Sequence, residues 1–596
     1  MTSTIDSQMH YKIHYENPQT RFVSLEFSVE KEYFNESGIL LFQLPDWRPG
    51  RYELGNFAKN IQRWQAFNEK GETLSFEKTG KATWEVKTKD AEAVTIKYKY
   101  YAALLDAGNC WIDERQLYVN PVHCCLFIPG LENVPCSLEL ELPHHFKVAT
   151  SLSRVFPNNA KQSNRTAKGE LFFAADFHEL VDSPFIASSS LKHNHYEVGG
   201  TKFHLWFQGE CKPEWERIIP DFDAFTRKQM EVMGGFPVEE YHFLFQIVTN
   251  HFYHGVEHLK STVIVLGPSY DLMKPVLYPE LLGISSHELY HSWNIKAIRP
   301  AEMQPYNYSK ENFSKMGYVA EGITTYYGDL FLRRSGAFST YEMMKELTRH
   351  LQKHLDNYGR FNLSVAASSW DTWLDGYVEG IPHRKVSIYT EGALCAFMLD
   401  ILIRKQTKNT RSIDDVMREM YNRFGKTGIG YTENDYQDVL ESISGIDLTW
   451  FFEKYYNGVT DYEPLLAECL EYIGYKIIKI RSRMYFENRF GFKVKADANG
   501  SVRITTVAPG SLSEAAGLSK DDLITGINGI KLEHNLKEWT KYFQEEAIEL
   551  DIYSQNKFRQ VMLTPTDTER YYELVNLQPI ENVDVEQKNN LSAWTN

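Results

Sequence analysis

The sequence predicts a multidomain α+β chain, with an all-β N-terminal region, a mostly α-helical centre and a small strand-rich module near the C-terminus. Three observations predict it. From about residue 9 to 185, alternating or β-branched runs are separated by Gly, Asn, Asp and Pro, and long helical periodicity is absent. In the centre, GYVAEGITTYYGDLFLRRSG, TYEMMKELTRHLQKHL and SIYTEGALCAFMLDILIRKQT read as helices. From about residue 475 the texture returns to short strands, turns and one short helix. At 596 residues the chain is long enough for three or four domains with large cores.

In order, MHYKIHYENP, RFVSLEFSVE, GILLFQLP, ATWEVKTK and AVTIKYKYYAAL read as strands of a β-sandwich that supports or covers another domain. Residues 44 to 64, LPDWRPGRYELGNFAKNIQRW, are dense in Trp, Pro, Gly and Arg and are expected to form a loop packed on another domain. PEWERIIPDFDAFTRKQMEVMG reads as a helix. Two apolar runs then flank the polar insert HFYHGVEHLKS. An edge strand with Gly255 exposed would let a peptide backbone lie alongside it. Glu257 would then stand where an α-ammonium pairs with it; the competing reading is a solvated glutamate between strands.

Composition excludes some classes. The formal net charge of -15 argues against nucleic-acid binding through phosphate neutralisation. No stretch approaches 18 apolar residues, so no membrane span is expected. No signal peptide is visible at the start, and seven irregularly spaced cysteines predict no disulfide framework, which together point to a cytoplasmic setting.

The chemistry concentrates in SSHELYHSWN, residues 285 to 294. On a helix His287 and His291 lie on one face and can reach a single zinc ion, while Glu288 sits about 100° further round, within reach of a water on the metal. Chance supplies roughly 0.08 such motifs in a chain with 19 His. The flanking Leu281, Leu282, Ile284, Leu289 and Trp293 make the segment too apolar for a surface helix. Catalytic zinc needs a third protein ligand. Glu302, Glu311, Glu321 and Asp329 follow. Glu302 and Glu311 lie in a polar stretch, whereas Glu321 opens an apolar run in which a carboxylate would be desolvated unless paired or metal-bound, so Glu321 is preferred. Tyr389 precedes a buried helix; it is either a core aromatic or a phenol that donates to an oxyanion. The polar stretch beyond about residue 568 is expected to be an extension or partly disordered tail.

These motifs resemble the glycyl aminopeptidase family of gluzincin zinc metallopeptidases, relatives of aminopeptidase N, over nearly the whole chain. HELYHSWN is similar to the family's His-Glu-x-x-His-x-Trp-Asn signature, and AEGITTYYGD to its third-ligand motif, which implies Glu321. The aminopeptidase N spacing would fall on Lys310, so Glu311 stays open as a rival. HGVEHLKS resembles the Gly-x-x-Glu segment that holds the substrate amine, IYTEGAL the Tyr-x-x-Gly segment of the transition-state tyrosine, and WRPGRY an element of the N-terminal domain. The stretch from 475 resembles a PDZ domain, with Phe490, Gly491 and Phe492 as its carboxylate loop, able to receive a C-terminal peptide on free N–H groups at Gly491 and Phe492.

The resemblance implies an N-terminal β domain (1–190), a thermolysin-like catalytic domain (191–474), a PDZ domain (475–568) and a tail (569–596). It implies one zinc per chain, and peptides with a free N-terminus and a small first residue, Gly or Ala, as substrates. An endopeptidase recruiting protein C-termini through the PDZ domain, and a non-catalytic peptide-binding scaffold, are the alternatives.

Overall fold

The computed structural model describes residues 9–155, 169–377, 380–566 and 570–596. The N-terminal region is β-rich, as expected. Alternation decides which face is buried: Met9, Tyr11 and Ile13 of the Met9–His14 strand, and Val23, Leu25, Phe27 and Val29 of Phe22–Glu30, point into the core. These strands sit centrally in an eight-stranded sheet, where Met9–His14 pairs antiparallel with Phe22–Glu30 and parallel with Cys136–Glu141. Three- and four-stranded sheets complete the domain.

A five-stranded sheet opens the central region, in the order Lys192–Val198, Thr201–Gln208, Glu240–Ile247, Ser261–Gly267 and Phe252–Glu257. The two central pairings are parallel, so those strands are buried on both faces and read as continuous apolar runs. One face carries Phe203, Leu205 and Phe207 toward the Trp215–Met233 helix side of the main core. The other carries Leu244, Val256, Val263 and Val265 against Tyr118, Ala149 and Ile186 of the N-terminal four-stranded sheet. The two regions therefore share an apolar seam.

The helical remainder packs on this sheet. The helix that carries His287 spans Leu277–Tyr290, and Tyr389 lies in the first turn of the Ile388–Thr407 helix. The run predicted as one helix from Gly317 is two: a π-helical turn, Tyr318–Ile323, followed by the α-helix Thr324–Ser335. Residues 492–563 form a separate sheet with its own core of Phe490, Phe492, Ile504, Ile524, Leu550 and Ile552, the PDZ-like module expected there.

The stretch beyond residue 568 departs from the expected tail. Its Leu574–Pro579 strand pairs antiparallel with Tyr475–Ile480, and its Val585–Thr595 helix docks on the central helices. Trp594 is fully buried, donates its ring N–H to the Tyr326 hydroxyl at 2.7 Å and accepts from Arg334. A few apolar anchors, Val575, Leu577 and Trp594 among them, and backbone acceptors tie the segment down, a pattern that its polar composition hides. All seven cysteines are free and buried. Among the described residues no helix is long and apolar enough to cross a membrane.

Candidate metal centre and active site

The Leu277–Tyr290 helix places the two imidazoles one turn apart, with Nε2 atoms 3.1 Å from each other. Glu321 Oε2 lies 3.9 Å from His287 Nε2 and 3.4 Å from His291 Nε2. Ligands about 2.0–2.1 Å from a tetrahedral zinc stand about 3.3 Å apart, so the three donors fit that ion. His291 Nδ1 lies 3.0 Å from the Asn294 carbonyl, the outer bond that turns Nε2 toward a metal. Charge agrees with geometry. Burial lowers the His291 pKa, yet Glu321, with Glu257 and Glu288 nearby, pushes it up to about 10, so the cluster demands positive charge at this point. Glu311 belongs to none of the metal-suitable clusters among the described residues.

The elements around this trio explain the motif residues that are not ligands. Asn294 donates its side-chain amide to the Val319 and Ala320 carbonyls, at 2.8 and 3.1 Å, and so pins the π-helical turn that carries Glu321. A π turn leaves carbonyls without helical partners, and here the signature asparagine takes them. Trp293 donates to the Gly235 carbonyl and fills the core beneath. Gly328, in YYGD, lets the second helix pass His287: a Cβ there would sit 3.3 Å from the His287 Cβ.

Glu288 is buried and its Oε2 has no hydrogen-bond partner. Burial, with Glu257 and Glu321 nearby, holds its carboxyl well above the usual range against the pull of His291. The Phe252–Glu257 strand is the sheet edge expected, antiparallel to Ser261–Gly267. A Cβ on Gly255 would overlap the Glu288 carboxylate, so glycine here makes room for Glu288. Glu257 is buried, not solvated; its Oε1 is unpartnered, and with Glu288 and His291 it forms a cluster whose facing atoms lie within 4.8 Å of one another. Tyr389 is half-buried, its ring stacked 6.5 Å from that of His287. Burial and the Glu321 charge push its phenol well above 10.

The structure adds residues that the sequence reading passed over. The 46–57 loop of the N-terminal domain packs on the central region, as predicted, and its tip enters the site. Tyr52 donates its hydroxyl to Glu321 Oε1 at 2.9 Å. Gly50, at φ 79°, sits so close to Glu257 that a Cβ would fall 2.5 Å from Oε2. Arg51 lies over the ring of Tyr377, which neighbours Tyr389. The signal was the WRPGRY element itself, whose chemistry cannot be read without its partner residues more than 200 positions away.

A second cluster, His204, Glu240 and His242, has metal-like spacing but different chemistry. Trp206 donates to His242 Nδ1 at 3.2 Å, which leaves the proton of a neutral ring on Nε2. Burial lowers His204 to about 4 and His242 to about 3, and the two rings stack 4.6 Å apart. Its imidazoles are neutral and stacked, and His242 Nδ1 is already taken by the Trp206 N–H.

The PDZ carboxylate loop requires a correction. The Gly491 N–H is not free: it donates to the Phe486 carbonyl at 3.0 Å and closes the π-helical turn Phe486–Phe490, with Gly491 as its left-handed cap at φ 83°. The Tyr571 ring lies against Gly491, and Phe490 and Phe492 are core residues.

Comparison with known proteins follows the same division. The Peptidase M61 N-terminal domain matches residues 10–189, the M61 glycyl aminopeptidase residues 280–395 and a PDZ domain residues 479–549. The solved structure of an aminopeptidase N family protein from Idiomarina loihiensis is 26% identical, covering 99% of this chain and 100% of that one, with a TM-score of 0.88. An M1 zinc metallopeptidase from Deinococcus radiodurans is 11% identical over 76% of this chain and 94% of that one, with a TM-score of 0.46. No curated protein matches the chain. The chain belongs to the M61 glycyl aminopeptidase family of gluzincin zinc metallopeptidases, related to aminopeptidase N and carrying a C-terminal PDZ domain, and is a metalloaminopeptidase.

Proposed function

We propose that the protein removes small N-terminal residues, Gly or Ala, from peptides with a free α-amine, using one zinc per chain held by His287, His291 and Glu321. Zinc bound there supplies a Lewis acid and lowers the pKa of a water. Glu288 takes the proton of the attacking water and returns it to the leaving amine. Its unpartnered Oε2 leaves an oxygen free to receive that proton. Tyr389 stays a phenol and donates to the developing oxyanion. Glu257 holds the α-ammonium, with the substrate backbone running along the edge strand at Gly255. The glycine preference rests on the family description, and alanine is included as the next smallest side chain. The domains we assign are 1–190, 191–474 and 475–568, with 569–596 as a C-terminal segment whose Leu574–Pro579 strand pairs with Tyr475–Ile480 and whose Val585–Thr595 helix docks on the central helices.

One observation carries this reading: a buried carboxylate with an unpartnered oxygen, Glu257, stands beside Glu288 and His291. A buried carboxylate needs a counter-charge, and an ammonium bound there would set the N-terminus of a substrate next to the metal donors. Glu257→Ala should lower kcat/KM on free-amine alanyl peptides by about 100-fold or more. Cleavage of an N-acetylated peptide, with equal loss on both substrates, would instead favour an endopeptidase.

A further inference from the structure

The metal site is closed by a residue from a different domain. Glu321 is 2% exposed and Tyr52 5%, so the contact between them is shielded from bulk solvent. The two Glu321 oxygens have divided roles: Oε1 accepts from the Tyr52 hydroxyl at 2.9 Å, while Oε2 faces both imidazoles. A carboxylate free at both oxygens can bind a metal through one or two; a phenol on one of them leaves the other.

The position of Tyr52 is fixed by domain docking. Trp47 is fully buried, donates to the Asn307 carbonyl at 2.7 Å and packs edge-on to Tyr306 and Trp373. The Asp46 N–H donates to the Tyr308 carbonyl, and the Gly55 N–H returns to the Asp46 carbonyl, which closes the loop. The Tyr52 ring rests against Trp373 at 6.2 Å.

We propose that Tyr52 is a positioning residue of the metal site: its O–H holds Glu321 Oε1, so that Glu321 binds through Oε2 alone and the site is complete only when the N-terminal domain is docked. This rests on Glu321 as the third ligand. The N-terminal β domain is then part of the metal centre, not only a support.

The test uses the full chain. Zinc affinity is measured by competition with a chromophoric chelator, and coordination by the visible spectrum of the Co²⁺-substituted protein, for wild type, Tyr52→Phe, Tyr52→His, Glu321→Ala and the Tyr52→Phe/Glu321→Ala double variant. Tyr52→Phe should weaken zinc about 10- to 100-fold and shift the Co²⁺ bands. Tyr52→His, which keeps an N–H donor, should recover part of that loss. In the Glu321→Ala background, Tyr52→Phe should change affinity less than about 3-fold, because its partner is gone. The same loss in both backgrounds, or equal losses for Phe and His, would mean packing and would overturn the proposal. So would unchanged affinity in Tyr52→Phe while Glu321→Ala loses zinc. If Glu321→Ala itself keeps full affinity, the ligand assignment falls, and the proposal with it.

Discussion

Gly322 and Gly392 meet backbone to backbone. A Cβ on Gly392 would lie 2.6 Å from the Gly322 Cα and 2.7 Å from the Tyr318 carbonyl oxygen. This contact joins the π-helical turn of Glu321 to the helix of Tyr389, so it sets the spacing between the third metal donor and the candidate oxyanion donor. It explains why AEGI carries glycine directly after Glu321 and YTEGA carries it one helical turn after Tyr389.

Gly392→Ala should therefore separate the two elements. A methyl forced into a packed core costs about 1–3 kcal/mol, and displacement of a reacting group by ~1 Å can cost about 100-fold in rate. We expect a lower thermal midpoint together with a loss of turnover on an alanyl chromogenic substrate far beyond what the stability change explains. Turnover near wild type would mean that the helix spacing does not matter to the chemistry.

Glu288→Gln is nearly isosteric and leaves the three donors untouched. It should keep its zinc by metal analysis and lose about 100- to 10,000-fold in kcat, the usual range for one proton-transfer group. Near-normal kcat would remove Glu288 from the role of base. Loss of zinc would show instead that the carboxylate supports the metal, as its place beside Glu257 and His291 also allows.

Much of this site was legible in the sequence because its parts are local. His287, Glu288 and His291 follow from helical geometry alone, and Glu321 from the cost of a buried carboxylate in an apolar run. Edge-strand placement of Gly255 and Glu257 followed from a polar insert between apolar strands. What escaped was long-range or depended on hydrogen bonds. The π turn at Tyr318–Ile323 has the apolar pattern of an α-helix, and only the Asn294 amide reveals why it forms. Tyr52 lies 269 positions from its carboxylate partner. Gly491 looked free because the π-helical turn that consumes its N–H leaves no periodicity to read. The end of the chain looked like a tail because its buried apolar residues, Val575, Leu577 and Trp594, are few and widely spaced among polar ones.

Asp182 gives the fold a pH dependence whose sign can be worked out. It accepts from Lys296 Nζ at 2.7 Å, from the Leu259 N–H at 2.9 Å and lies 3.0 Å from His258 Nδ1. Lys296 follows the HSWN signature and His258 follows Glu257, so one carboxylate ties both ends of the site together. Burial alone would raise the Asp182 pKa; Lys296 and His258 instead hold it far below the usual carboxylate range. A group with a depressed folded pKa stabilises the fold above its unfolded pKa, about 3.9, and loses that contribution as pH falls toward the folded value. Asp182→Asn leaves the buried Lys296 ammonium unpaired, which costs about 3–5 kcal/mol. The thermal midpoint should thus fall well below wild type at neutral pH, by a margin that narrows as pH drops below about 4. A margin that stayed unchanged well below pH 4 would contradict the assignment, because protonation of the wild-type carboxyl would then be removing no ionic partner of Lys296.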